Sequence, residues 1–155
     1  MKKLQNKKGY SLVEVLFTLM ILSVGLAGTA LLMTVSIKNS IKAKNQVIAA
    51  ELAQEGVELV KNINDNGSVI SNGTYRVDNI DGITSSTDYL LYQDVNGSYS
   101  HKAAGGTASK FFRAVVIGDA VTGGKRISAA VTWGNVAPNP CNIANSCVSV
   151  TAILP

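Results

Sequence analysis

Glu14 is the residue whose type is least expected where it stands. From Tyr10 to Ile37 it is the only charged side chain. A carboxylate near the start of a membrane helix costs on the order of 2–3 kcal/mol unless it finds a partner, so such a residue marks function by default. The bland alternative is a carboxylate held by the dipole at a helix N-terminus and reaching the headgroups. Lys2, Lys3, Lys7 and Lys8 precede it, followed by Gly9 and Tyr10. Cys141 and Cys147 are the second pair of interest. In an oxidising compartment they form a disulfide. A metal site is the alternative, but two thiols need further ligands and the chain has one histidine, His101.

The remaining polar residues make no catalytic constellation. His101 stands in the polar stretch Gly97–Lys102 and reads as a solvated loop residue. No Ser-His-Asp arrangement can be argued from such loop residues. Glu51, Glu55 and Glu58 recur at helical spacing. They read as a solvated face or as subunit salt bridges to Lys38, Lys42 and Lys44, in preference to a metal site. Asp78–Gly82 and Asp94–Gly97 lack the spacing and the bidentate glutamate of a calcium loop, and turn chemistry accounts for both. Asn66, Asn72 and Asn96 begin glycosylation acceptor patterns that read equally as turns. No cofactor and no metal are expected, and the chain is not read as an enzyme.

Charge excludes a further class. The chain has 14 Lys and Arg against 10 Asp and Glu, but four of the lysines lie within the first eight residues. Beyond them the two signs balance, so net charge supports no nucleic-acid partner.

These residues must be positioned by a small set of elements. A helix over Val15–Ile37 is roughly 35 Å long, enough to cross a bilayer core. The lysines place the short N-terminal end in the cytoplasm and the rest outside. The helix continues past the membrane. Ile37, Ile41, Ile48, Leu52, Leu59 and Ile63 repeat every eleven residues and so keep to one face. Gly25, Gly28 and Gly56 are its weak points. Asn62–Gly67 ends it, with Gly67 or an asparagine in the left-handed conformation.

From about Gly73 the period becomes that of strands. Strands are expected at Tyr75–Ile80, Tyr89–Tyr92, Phe111–Gly118, Arg126–Trp133 and Cys147–Leu154, with Gly123-Gly124 as a hairpin turn. The expected fold is α+β: one long N-terminal helix, part membrane and part soluble, packed on a small antiparallel sheet.

The N-terminal pattern resembles the type IV prepilin signature. A basic leader ends at Gly9, an aromatic residue follows at Tyr10, where that family usually has Phe, and Ser11-Leu12-Val13-Glu14 precedes an apolar helix. The resemblance implies residues 1–9 as a leader removed by prepilin peptidase, residues 10–37 as the transmembrane and filament-core half of the helix, and residues 38–155 as a soluble pilin head. Within the head it implies helix over 38–63 and sheet with loops over 74–155. It also implies cleavage after Gly9, N-methylation of the Tyr10 amine, and pairing of Glu14 with a neighbouring subunit's Tyr10 amine during assembly. The α+β arrangement is also that of the pilin fold.

Ala49–Leu59, Phe111–Ile117 and Val131–Trp133 resemble PilV-type minor pilins and the pseudopilins of type II secretion. The partners so implied are other pilin subunits, prepilin peptidase, an inner-membrane assembly platform and the membrane itself. The implied location is single-pass in the inner membrane, then a surface or periplasmic filament (a fimbrium). Three alternatives compete: a secretory signal peptide cut near Ala30, an uncleaved anchor, and a membrane-anchored binding or adhesion module that never polymerises.

Overall fold

The computed structural model describes residues 11–68, 70–79, 81–102, 105–121, 123–134, 141 and 146–154. Its elements are α1 (Leu12–Asp65), β1 (Gly73–Asp78), β2 (Gly82–Thr84), β3 (Leu90–Gln93), β4 (Tyr99–Ser100), β5 (Thr107–Asp119), β6 (Lys125–Trp133) and β7 (Cys147–Leu154). The chain divides into two compact units, one ending at Lys42 and the other beginning at Ala43.

In the first unit, α1 starts with the Ser11 carbonyl, which accepts from the Glu14 and Val15 amides at 3.0 and 3.3 Å. Large apolar side chains point outward on every side: Phe17, Leu22, Val24 and Leu32 are 57–70% exposed. A stretch of α1 with mean hydropathy 2.3 is long and apolar enough to cross a membrane. Between Leu12 and Val35 its hydroxyls are satisfied internally. Thr18, Ser23, Thr29 and Thr34 each donate to a carbonyl one turn earlier, at 2.8–3.0 Å. That is how a polar side chain is tolerated where water is absent.

In the second unit, α1 buries Asn45, Ala49, Leu52, Ala53, Gly56, Val57 and Val60. The face is therefore centred on small residues and not on the large aliphatic stripe. Ile48, Leu59 and Ile63 flank it, half-buried, while Ile37 and Ile41 are 50% and 53% exposed. The isoleucine repeat located the correct side of the helix but not its centre. Small side chains let the helix backbone approach the sheet, and larger ones fill the rim. The helix ends in a Schellman motif: Ser68 N–H donates to Ile63 O and Gly67 N–H to Asn64 O, with Gly67 at φ 83°.

The sheet is antiparallel throughout and built around β5. One edge of β5 is shared, β3 lying along its first half and β1 along its second, while β6 and then β7 extend the other side. β2 and β4 add to β1 and β3 respectively. The β5–β6 hairpin runs in register from Phe111↔Trp133 to Asp119↔Lys125 and closes through Gly123 and Gly124, both at positive φ. The expected strands are present, with shifted ends. β2 and β4, three and two residues long, were not expected, because they lie among turn residues.

Alternation sorts the sheet residues. Phe111, Val115 and Ile117 on β5, and Ile127, Ala129, Val131 and Trp133 on β6, join Leu52, Val57 and Val60 in the core. On β7, Val148, Val150, Ala152 and Leu154 face the same way. The Tyr99 ring meets Phe111 edge-on at 5.8 Å.

Candidate functional site

Glu14 lies in the first turn of α1, in an otherwise apolar stretch. Every other polar side chain from Leu12 to Val35 is a hydroxyl bonded to its own helix. Among the described residues Glu14 has no side-chain partner. It is thus the one group in this segment with unmet bonding capacity, and in a membrane it requires a cation or donor from outside its helix. Gly9 and Tyr10 lie outside the described residues. Cys141 and Cys147 form a disulfide with Cα atoms 5.7 Å apart, at the start of β7.

The second unit holds a polar cluster that the sequence reading missed. Arg113 is fully buried. Its Nη1 donates to the Leu52 carbonyl of α1 at 3.2 Å and its Nη2 to the Val77 carbonyl of β1 at 2.9 Å. Nη1 also lies 3.3 Å from a Glu55 carboxylate oxygen. One guanidinium thus ties the helix to two strands. A helical carbonyl has a second lone pair to offer, and Gly56 leaves room for the approach. A Cβ at Gly56 would sit 3.2 Å from Arg113 Cδ and 3.3 Å from Ala129 Cβ.

The solvated reading of Glu51, Glu55 and Glu58 is corrected at Glu55 by the same contact. Glu51 and Glu58 are exposed, but Glu55 is half-buried and pairs with Arg113 across the helix–sheet junction.

His101 is the second correction. It is 5% exposed and not solvated. Its backbone N–H donates to the Asp78 carboxylate at 2.7 Å, and its ring Nδ1 lies 3.1 Å from the Leu90 carbonyl. A carbonyl only accepts, so Nδ1 carries the proton. Burial, and next the nearby Arg113 cation, lower its pKa to about 4, against the raising influence of the Leu90 bond and Asp78. The ring is neutral at pH 7 and adds no cation of its own beside Arg113.

The acidic turns behave as turn chemistry requires. Asp94 Oδ1 accepts from the Asn96 and Ser98 amides, both at 2.9 Å. Asn72 bridges Asp119 and Lys125 on the exposed side of the β5–β6 hairpin. The Lys125 and Asn72 bonds hold the Asp119 carboxyl below its ordinary range. No cluster of three metal-ligating side chains occurs among the described residues.

Parity could have revealed Arg113. It shares the inward register of Phe111, Val115 and Ile117, two residues from its nearest apolar neighbours on the strand. No comparable local signal exists for His101 and Asp78, which are 23 residues apart and meet only through the fold.

Comparison with known proteins agrees with the N-terminal geometry. Residues 4–30 match the family described as the prokaryotic N-terminal methylation motif. No curated protein and no solved structure matches the chain. The matched segment contains Gly9, Tyr10 and Glu14, and it supports a type IV pilin-like protein. Families with this signature are structural subunits, and the signature implies cleavage by prepilin peptidase and assembly with other pilin subunits. Together with the apolar helix it indicates membrane anchoring.

Proposed function

We propose that this chain is a structural subunit of a type IV pilus-like filament, a minor pilin or pseudopilin of the PilV type. The leader, residues 1–9, is cut after Gly9 by prepilin peptidase, and the new Tyr10 amine is methylated. Residues 10–37 hold the subunit in the inner membrane, with the leader cytoplasmic, until the assembly platform draws it into the filament. Residues 38–155 form the exposed head.

The observation that carries this reading is Glu14. It is the single unpartnered polar side chain in an apolar helical stretch, inside the matched methylation motif. A neighbour's Tyr10 amine supplies the charge it lacks. Two opposite charges in a low-dielectric layer lower each other's cost and fix the axial offset between subunits. Gly25, Ala27 and Gly28 present small faces that permit close helix packing, and a Cβ added at either glycine would meet nothing within 4 Å in the single chain.

The test is incorporation of Glu14→Ala into filaments. The variant is expected to insert into the membrane at normal levels and to be absent from sheared filaments. Glu14→Asp, which keeps the charge, is expected to recover part of the incorporation. Normal incorporation of the alanine variant removes the assigned role.

A further inference from the structure

The sheet has three free edges among the described residues, and they are guarded unequally. β2 is three residues long and follows Asp81, which pairs with Arg76 and Lys102. β4 is two residues long and is followed by His101 and Lys102. Short length and adjacent charge are the usual protections of an edge. β7 has neither. It is eight residues long, Cys-Val-Ser-Val-Thr-Ala-Ile-Leu, with no charge, proline or glycine, and it pairs only with β6.

The register states which backbone groups are free. Gly134 N–H donates to Lys110 O and Trp133 N–H to Ser146 O. Even-numbered residues of β6 therefore bond to β5, and odd-numbered ones to β7. On β7, Val148, Val150, Ala152 and Leu154 bond inward to β6. The N–H and C=O groups of Cys147, Ser149, Thr151 and Ile153 point to the open edge. No backbone partner for them occurs among the described residues. A row of unpaired donors and acceptors is a template for another strand.

We propose that β7 pairs antiparallel with β7 of a second copy of this chain, about a two-fold axis at Val150. Three properties of the strand select a second copy over an unrelated peptide. The first is register. Setting Val150 opposite Val150 makes hydrogen-bonded pairs of Cys147 with Ile153 and of Ser149 with Thr151, so every free group on both edges is satisfied.

The second is residue type. Read outward from Val150, the strand matches itself: hydroxyl with hydroxyl at 149 and 151, aliphatic with aliphatic at 148 and 152. Such cross-strand pairs are favourable, and a two-fold interface requires this self-complementarity. The third is charge. Any charged residue near the axis would face its own copy, and β7 carries none. The inward side chains Val148, Val150 and Ala152 are only half-buried in the single chain, and the added strand completes their cover. This pairing does not rest on the filament reading.

The test is disulfide trapping of the full chain in detergent micelles. Residues 150 of the two copies form a non-hydrogen-bonded pair with Cα atoms ~4.5 Å apart, within disulfide reach. Residues 151 of the two copies are offset by two positions along the strand, ~8 Å apart and outside that reach. Val150→Cys is expected to give a several-fold larger cross-linked dimer fraction than Thr151→Cys, with peptide mapping showing a 150–150 bond. Adding Ser149→Pro to Val150→Cys removes one open-edge donor and no bond to β6, so it is expected to bring the dimer down to the Thr151→Cys level. Equal cross-linking at 150 and 151 overturns the proposal. So does a Val150→Cys dimer undiminished by Ser149→Pro in a sample whose far-UV spectrum is unchanged. Helix association in the micelle is common to all variants and cannot produce the difference.

Discussion

The two parts of α1 are one helix by hydrogen bonding and two by chemistry. Up to Lys42 its large apolar side chains are outward on all sides, and its hydroxyls at Thr18, Ser23, Thr29 and Thr34 bond to their own backbone. From Ala43 onward it has a wet face and a buried one, and the buried face is made of Ala49, Ala53 and Gly56 with Leu52, Val57 and Val60 beside them. A helix apolar all round is solvated by lipid or by other helices, whereas a one-sided helix is solvated by its own fold. The same contrast holds for their charges. Glu14 lacks a partner among the described residues, while Arg113, buried against the second part, has two carbonyls and Glu55. The first part needs a partner for its charge from outside, and the second supplies its own core and its own partners for Arg113.

Substitutions can break this contrast, and Trp133, the sole tryptophan and a core residue, reports unfolding of the second unit. Arg113→Ala should have the largest effect. It takes a hydrogen bond from each of the Leu52 and Val77 carbonyls, empties a fully buried site and leaves Glu55 without its cation, at a cost of about 3–5 kcal/mol in chemical unfolding. Glu14→Ala should leave the same transition unmoved. A comparable loss from both would show that the two parts are not chemically separate.

Acid comes next. The His101 pKa is lowered to about 4, from 6.5 in a free chain, so between these values the unfolded chain binds more protons than the folded one. Stability is therefore full above about pH 6.5 and falls as the pH drops towards 4, by up to ~3 kcal/mol. The charges facing the ring are Arg113 and Arg76, which oppose its protonation, and Asp78, which favours it. His101→Asn, which keeps a donor near Leu90 O, should flatten this window. An unchanged slope would show that other groups carry the acid sensitivity.

Removing the Cys141–Cys147 disulfide with a paired serine substitution should cost only about 2 kcal/mol, because the closed loop is short. The smallest effect sharpens the contrast most. Gly56→Ala places a methyl against Ala129 and against an Arg113 held by two carbonyls, and should destabilise the second unit by about 1 kcal/mol despite the gain in helix propensity. Gly25→Ala meets nothing within 4 Å and should leave that transition unchanged. Equal effects would remove the argument that Gly56 serves close approach.

The legible features were those carried by local pattern. Lysines, Gly9, Tyr10 and Glu14 before an apolar run are adjacent in sequence, so their joint meaning needs no fold. The long helix, its glycine stop at Gly67 and the Gly123-Gly124 hairpin follow from periodicity and turn chemistry in the same way. The polar cluster depends on long-range contacts. Arg113 meets Leu52 across 61 residues and Val77 across 36. His101 sits among polar loop residues, and only the packing of β1, β3 and β4 together buries it. The centre of the helix face was also hidden, because hydrophobicity marks large side chains while contact with a sheet selects small ones.

The central claim is that the first part of α1 belongs to a processed, assembling subunit. The most direct test is the mass of the N-terminal peptide of the protein taken from its native membrane or surface fraction. The account predicts a chain that begins at Tyr10 and is heavier by one methyl group at its amine. A chain beginning at Met1, or cut near Ala30, would contradict it and leave a membrane-anchored or secreted binding module in its place.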